Sequence, residues 1–241
     1  MRLDQRLVDL GLAESRARAR ALVEAGAVSV DGAPARKPSQ AVDAAAEVAV
    51  AGDPDPWVSR AGQKLAHALE EFGLTPRGVA LDVGASTGGF TQVLLARGAE
   101  RVFALDVGHG QLHPRLAADP RVVSLEGVNA RDIPDGTVPP VDWIVADVSF
   151  ISLEKALPAA LALAKPGAVL VALIKPQFEA GPGAVGKGGI LRDPAIHAAV
   201  CARIGDWLTG LGWQVTGIVP SPIEGGDGNR EFLIAARISG D

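Results

Sequence analysis

The sequence lacks several features that would place it in common functional classes. It has one cysteine, Cys201, no tyrosine, and no apolar run longer than the stretch from Ala168 to Ile174. A single cysteine excludes an internal disulfide framework and a cysteine-based zinc site, and so short a run cannot cross a bilayer. The amino terminus has no apolar signal-peptide core. We therefore expect a cytoplasmic protein with no membrane segment.

The charge balance limits how the chain could contact nucleic acid. The net charge is −5, so binding to RNA or DNA would depend on local basic patches rather than on a basic surface as a whole. Without tyrosine, stacking on bases would fall to the four tryptophans, the six phenylalanines and the arginine planes.

The sequence pattern of the 241-residue chain changes near residue 50. Before it, the pattern predicts a first helix that ends at Gly11, a second over 14–25, and a strand with a hairpin turn over 28–32. The closely spaced prolines Pro54 and Pro56 favour an extended connection. We predict a small α+β domain over 1–52, a linker over 53–58 and a larger domain over 59–241.

The larger domain alternates strands with helices, which indicates a parallel sheet. The predicted strands are 78–83, 101–106, 121–125, 141–147, 167–174, 213–219 and 230–238. A turn rich in proline and glycine joins the last two, so we expect them to pair as an antiparallel hairpin. Seven strands in this arrangement predict an α/β doubly wound sheet of the methyltransferase type, with ligands beyond the strand carboxyl ends.

A glycine-rich turn follows the first of these strands. Asp82 precedes Gly84, and Gly88 and Gly89 come later, so the spacing departs from the dinucleotide fingerprint. A carboxylate near the turn suits a sulfonium with an amino-acid tail better than a pyrophosphate, which needs bare amides. The turn therefore favours S-adenosylmethionine over NAD, and a strand-to-helix turn without a ligand is the alternative.

Polar residues stand where apolar strands end, and burial there is costly without a partner. They are Asp82, Asp106, Asp147, Lys175 and, within the predicted last strand, Glu231. A partly desolvated Lys175 could act as a general base; alternatively, it forms a structural ion pair with Asp147. Asp106 is placed to accept hydrogen bonds from ribose hydroxyls.

Two further polar residues, and Glu231 itself, each have more than one interpretation. Asn129 could bind an adenine amino group or simply form a turn. Lys64, on a helix that begins near Ser59, could serve a site or be a solvated helix lysine. Glu231 could join a site, pair with its neighbour Arg230, or lie on an edge strand.

Together these residues resemble a known family. Lys64, Asp147, Lys175 and Glu231 match, in order, the Lys-Asp-Lys-Glu tetrad of the FtsJ-like 2'-O-ribose RNA methyltransferases. The segments 58–65, 82–91, 106–112, 146–152 and 174–179 are similar to the signatures of the TlyA family of rRNA cytidine-2'-O-methyltransferases, often labelled haemolysins. In the wider group, an aspartate stands where this chain has Asn129.

The resemblance implies a methyl transfer from S-adenosylmethionine to a cytidine 2'-hydroxyl of ribosomal RNA, with the tetrad catalytic. It also implies an RNA-binding fold of the S-four type for the first domain. We predict these cofactor-binding residues: Asp82, Gly84, Ser86, Thr87, Gly88, Gly89, Phe90, Asp106, Asn129, Ala130 and Asp147. We predict these RNA-binding residues: Arg2, Arg6, Arg16, Arg18, Arg20, Arg36, Lys37, Arg60 and Lys187.

Alternatives to these assignments follow from the same residues. The arginines could form an ordinary solvated face that nearby acids compensate, and the loop over 181–189 could close over RNA or have no function. His109 and His113 lack a third ligand, so we expect no metal.

We expect a monomer that acts on ribosomal RNA or ribosomal subunits, the large one rather than both. The rival functions are a pore-forming haemolysin, a non-catalytic RNA-binding protein and an NAD-dependent oxidoreductase.

Overall fold

The computed structural model describes residues 1–51, 56–181, 183, 186 and 188–240. The chain divides into two compact units, Met1–Pro56 and Trp57–Asp241. The predicted linker residues 53–55 and the RNA-binding candidate Lys187 lie outside the described residues.

The first unit packs two helices against a small antiparallel sheet. Its elements are α1 (Leu3–Asp9), α2 (Arg16–Glu24), β1 (Val28–Val30), β2 (Ala33–Pro34) and β3 (Val48–Val50), with strand order β2-β1-β3. Helix α2 begins two residues later than predicted because Ser15 caps it, its hydroxyl accepting a hydrogen bond from the Arg18 amide. Asp31 and Gly32 both have positive φ, as the hairpin turn between β1 and β2 requires.

The second unit contains the predicted seven-stranded sheet. Its strands are β4 (Val79–Val83), β5 (Arg101–Asp106), β6 (Val122–Glu126), β7 (Val141–Ala146), β8 (Ala164–Ile174), β9 (Trp213–Pro220) and β10 (Phe232–Ile238). The order is β6-β5-β4-β7-β8-β10-β9. The pairs from β6 to β8 are parallel, whereas β10 is antiparallel to both β8 and β9. The predicted fold class and terminal hairpin are confirmed.

Helices cover both faces of this sheet. They are α3 (Ala61–Glu71), α4 (Gly89–Arg97), α5 (Pro114–Ala117), α6 (Leu153–Ala156), α7 (Pro158–Leu161), α8 (Pro176–Glu179) and α9 (Pro194–Gly210). Successive side chains of a strand point to opposite faces, so on β7 Trp143 packs in one core cluster with α3 and α4, and Ile144 in the other with α9. Burial on both faces explains why these strands read as continuous apolar runs.

One boundary matters for the site. The last strand was predicted over 230–238, but β10 begins at Phe232, where the ladder ends at the pair Phe232↔Pro220. Glu231 therefore precedes the strand rather than lying within it, while its carbonyl still accepts a hydrogen bond from the Ser221 amide.

Candidate active site

The turn between β4 and α4 requires glycine at its start. Gly84 has φ +83°, and a Cβ there would lie 2.6 Å from the carbonyl oxygen of Asp147. Gly88 also has positive φ, and its Cβ would clash with Leu116. Ser86 adopts φ +47°, a left-handed conformation that residues with side chains rarely keep outside constrained sites. The turn thus brings backbone against the end of β7 and leaves Gly84 open to a ligand.

Asp82 lies behind this turn rather than in front of it. The side chain is fully buried, and the Thr91 hydroxyl donates a hydrogen bond of 2.6 Å to its Oδ2. Burial raises the pKa of Asp82 to about 7, although the Thr91 hydrogen bond opposes that shift. Since Asp82 is on the wall of neither cavity described below, the structure offers no direct contact between it and a bound molecule. It supports the turn from beneath.

A cavity of about 1080 Å³ opens at the carboxyl ends of β4, β5 and β7. Asp106 lines it, and its two carboxylate oxygens accept hydrogen bonds from the amides of Ser86 and Gly108, both 2.8 Å long. Asn129 and Ala130 also line it. The Asn129 side chain accepts a hydrogen bond from the Arg131 amide, so it forms the turn that was the alternative interpretation while still facing the cavity.

A smaller cavity of about 300 Å³ adjoins the first. The two cavities share four wall residues, which are Gly84, Ser86, Asp147 and Ser149. Thr87 and Phe90 of the glycine turn line the smaller cavity, whereas the predicted cofactor residues Gly88 and Gly89 line neither. A Cβ at Gly89 would clash with Ser59, so Gly88 and Gly89 are needed for close packing behind the cavities.

Four charged side chains form two ion pairs at the smaller cavity. Lys175 Nζ lies 2.6 Å from Asp147 Oδ1, and Lys64 Nζ lies 2.5 Å from Glu231 Oε2. Lys64, Asp147 and Lys175 line the cavity. The structure therefore brings together all four residues of the predicted tetrad. Glu231 pairs with Lys64, so the expected alternatives, a pair with Arg230 and a solvated Lys64, are both wrong.

Several residues at the site were not predicted from the sequence. Ser149 accepts a hydrogen bond of 2.9 Å from Lys175 Nζ. Glu179, at the end of α8, accepts hydrogen bonds from the Leu153 amide and from Arg203 of α9. It therefore ties together the segments that follow β7 and β8, and burial raises its pKa. Within the sequence, the signals for these residues were their place shortly after Asp147 and Lys175 and inside the segments 146–152 and 174–179 that resemble the TlyA signatures.

An aromatic pair stands at the rim of the larger cavity. Phe150 is 89% exposed and has φ +64°, and its ring lies 4.9 Å from that of Phe178. Both rings line the cavity. An exposed phenylalanine beside a polar site offers a flat surface on which a nucleobase could stack.

The basic residues of the first unit fall into two groups. Arg2 and Arg16 both bind the buried carboxylate of Asp4, at 2.8 and 3.2 Å, and Arg2 in particular holds the pKa of Asp4 well below its usual range. Arg6 donates to the carbonyl oxygen of Ala44. Arg20, Arg36 and Lys37 are exposed, and Arg18 is half-buried. Compensation by an acid, the alternative interpretation, thus applies to Arg2 and Arg16.

The remaining candidates lie in the second unit. Arg60 is exposed and lines the smaller cavity. His113 caps α5, accepting from the Arg115 amide, and within the described part of the chain no three His, Cys, Asp or Glu side chains group as a metal site would need. The described helices also include none long and apolar enough for a membrane span. In the loop over 181–189, residues 182, 184, 185 and 187 are outside the described set.

Comparison with known proteins identifies the family. Residues 57–238 match the family model of the FtsJ-like methyltransferases, and residues 1–48 match that of the S4 domain. The chain belongs to the FtsJ-like methyltransferase family. Both matches agree with the fold, since the methyltransferase match covers the seven-stranded unit and the S4 match covers the small one.

Individual relatives of this FtsJ-like methyltransferase span most of its length. The 16S/23S rRNA (cytidine-2'-O)-methyltransferase TlyA of Mycobacterium tuberculosis is 47% identical, over 100% of this chain and 91% of the relative. Hemolysin A of Brachyspira hyodysenteriae is 41% identical, over 97% and 98%. A solved structure of a provisionally named hemolysin from Streptococcus thermophilus has a TM-score of 0.74 and 40% identity, covering 99% of this chain and 88% of that one. The chain is thus a TlyA-type member of the family.

Proposed function

We propose that this protein transfers a methyl group from S-adenosylmethionine to the 2'-hydroxyl of a cytidine ribose in ribosomal RNA. The observation that carries the proposal is the meeting of two lysine–carboxylate pairs at a small cavity, which adjoins a larger cavity lined by the glycine turn. The larger cavity has the character of a nucleoside site, and the smaller one has the groups that a proton transfer needs.

The residues of the larger cavity fit S-adenosylmethionine. Gly84 packs against the Asp147 carbonyl oxygen where a Cβ would stand and lines the cavity with bare backbone, Asp106 presents carboxylate oxygens suited to ribose hydroxyls, and Asn129 and Ala130 line the same cavity. Asp147 stands where the two cavities meet. When bound, S-adenosylmethionine supplies an electrophilic methyl group.

Lys175 is the residue that we assign to the proton of the ribose hydroxyl. The hydroxyl must lose this proton as its oxygen attacks, so a positioned base within hydrogen-bond reach supplies much of the acceleration. Asp147 holds Lys175 in place at 2.6 Å. Lys64 adds positive charge near the developing alkoxide, and Glu231 fixes Lys64.

Replacement of Lys175 tests this assignment. We expect Lys175→Ala to abolish transfer of a labelled methyl group to ribosomal RNA, while the Kd for S-adenosylmethionine stays within a few fold of wild type. The alternative, in which the Lys175–Asp147 pair only joins two strands, predicts a destabilised protein that still turns over. Full turnover by the variant would contradict the assignment. A wild-type protein that binds RNA without any methyl transfer would favour a non-catalytic role.

The first unit is the part that we assign to RNA binding. The exposed Arg20, Arg36 and Lys37 suit contacts with phosphates, which position RNA without reading its bases. Deletion of residues 1–55 should weaken RNA binding much more than binding of S-adenosylmethionine. The cofactor measurement also serves as the control for folding of the truncated protein, and unchanged RNA affinity would contradict the assignment.

We propose the large ribosomal subunit as the target, and a cytoplasmic monomer as the active form. The Mycobacterium tuberculosis relative is named for both subunits, so the small subunit is the other outcome to test. Mapping of 2'-O-methylated cytidines in both ribosomal RNAs, with and without this protein, decides between them. Two modified sites, one in each RNA, would overturn the choice of the large subunit alone.

A further inference from the structure

Ser149 contacts the proposed base directly. It lies two residues beyond Asp147 in the segment that follows β7, and its Oγ accepts a hydrogen bond of 2.9 Å from Lys175 Nζ. The same nitrogen lies 2.6 Å from Asp147 Oδ1. Ser149 is also one of the wall residues that the two cavities share. One short segment thus supplies a carboxylate ion-pair partner and a hydrogen-bond acceptor to a single amine.

We infer that Ser149 is a positioning residue that orients the lone pair of Lys175 for proton transfer, an inference that depends on the proposed function. Before it acts, the Lys175 ammonium gives up one proton to solvent, and the resulting amine has two N–H groups and one lone pair in a tetrahedral arrangement around nitrogen. Ser149 accepts one of the two hydrogens and the Asp147 carboxylate holds the nitrogen at 2.6 Å, so the lone pair is kept available to the ribose hydroxyl. The O–H bond then breaks as a new N–H bond forms on Lys175, and the hydrogen bond to Ser149 is kept.

The backbone around Ser149 supports a specific placement. Phe150 has φ +64°, a conformation that a bulky residue adopts only when its surroundings impose it, and such residues cluster at functional sites. At 89% exposure, Phe150 gains little burial in return. This constrained residue directly follows Ser149, whose hydroxyl meets Lys175. Farther along, Glu179 fixes the same segment through the Leu153 amide.

The experiment is single-turnover methyl transfer by the full chain, with labelled S-adenosylmethionine and ribosomal RNA as substrate. We expect Ser149→Ala to lower the rate at saturating substrates by about 10- to 100-fold, since a small misplacement of a reacting group has an effect of this size. The KM for RNA and the Kd for S-adenosylmethionine should stay within about twofold. Ser149→Thr keeps the hydroxyl at an exposed position and should recover most of the rate.

A matched serine variant separates positioning from general damage. Ser124→Ala removes a serine hydroxyl from an exposed position on β6 and should leave the rate unchanged.

Each contrary outcome has a definite meaning. A Ser149→Ala rate within twofold of wild type, or a loss confined to KM or Kd, would overturn the inference and leave the proposed function intact. A wild-type protein that transfers no methyl group would overturn the proposed function itself, and this inference with it.

Discussion

The buried pair between Lys64 and Glu231 allows a quantitative prediction about stability. The two side chains are only 9% and 3% exposed, and the charged atoms lie 2.5 Å apart. Glu231→Gln keeps the shape of the side chain but leaves the Lys64 ammonium buried beside a neutral amide. Removing one partner of a buried pair typically costs about 3–5 kcal/mol, because the remaining charge is uncompensated. We expect the free energy of unfolding of the second unit to fall by about 3 kcal/mol.

The tryptophans make this loss measurable in the full chain. All four, at positions 57, 143, 207 and 213, lie in the second unit, so their fluorescence follows the unfolding of that unit alone. Urea titration should show a lower midpoint with an unchanged slope. For a unit of this size, about 3 kcal/mol corresponds to a melting temperature lower by roughly 6–12 °C.

Two further variants test whether charge burial is the cause. Lys64→Met combined with Glu231→Leu should recover most of the stability, because apolar side chains of similar size need no compensation, although methyl transfer stays lost. Glu70→Gln is the matched control. Glu70 pairs with Arg97, and their side chains are 63% and 41% exposed, so this pair should contribute less than about 1 kcal/mol. Equal losses for Glu231→Gln and Glu70→Gln would refute the reasoning.

Three other predictions follow from the structure. Gly84→Ala should abolish binding of S-adenosylmethionine in calorimetry, because the added methyl group meets a carbonyl oxygen at positive φ, whereas Gly205→Ala, with open space around it, should not. Because burial raises the pKa of Asp82 from 3.8 to about 7, the folded state holds a proton that the unfolded chain releases. The free energy of unfolding should therefore decrease between about pH 4 and 7, and urea titrations across this range should show the slope in wild type but not in Asp82→Asn. Arg20→Gln and Lys37→Gln should each weaken RNA binding and reduce the slope of log affinity against log salt by about 1; a binding series from 50 to 200 mM salt that shows unchanged slopes would exclude phosphate contacts.

The meeting of the site residues could be predicted because it follows from topology. Asp82, Asp106, Asp147 and Lys175 each stand at the end of an apolar run, and the carboxyl ends of parallel strands share one edge of the sheet. The alternation of strands and helices alone therefore predicts that these four residues meet. The sequence does not show how deeply each side chain is buried. Burial is what places Asp82 beneath the turn, while Asp106 faces the cavity.

The pair between Lys175 and Asp147 was among the alternatives drawn from the sequence, but the partner of Lys64 could not be predicted, since that contact joins segments far apart in sequence. Lys64 and Glu231 are separated by 167 positions. Arg230 is the nearest basic residue to Glu231, but adjacent residues of an extended chain point to opposite sides, and Arg230 is exposed while Glu231 is buried. In the first unit, the acids near the arginines were visible in the sequence, but only burial distinguishes Asp4 as the one that binds Arg2 and Arg16.

The arrangement of the tetrad as two pairs links catalysis to folding. A lysine at a strand end or on a core-facing helix loses solvation when the domain folds, and a carboxylate partner offsets that penalty. The chain can therefore keep two cations beside a substrate site only by burying two anions with them. The two pairs differ in what they reach: Glu231 lines neither cavity and Lys64 lines only the smaller one, whereas Asp147 belongs to the wall that the two cavities share, where Ser149 adds a neutral acceptor for Lys175. We therefore expect substitutions in the first pair to lower stability and activity together, and substitutions at Ser149 to lower activity alone.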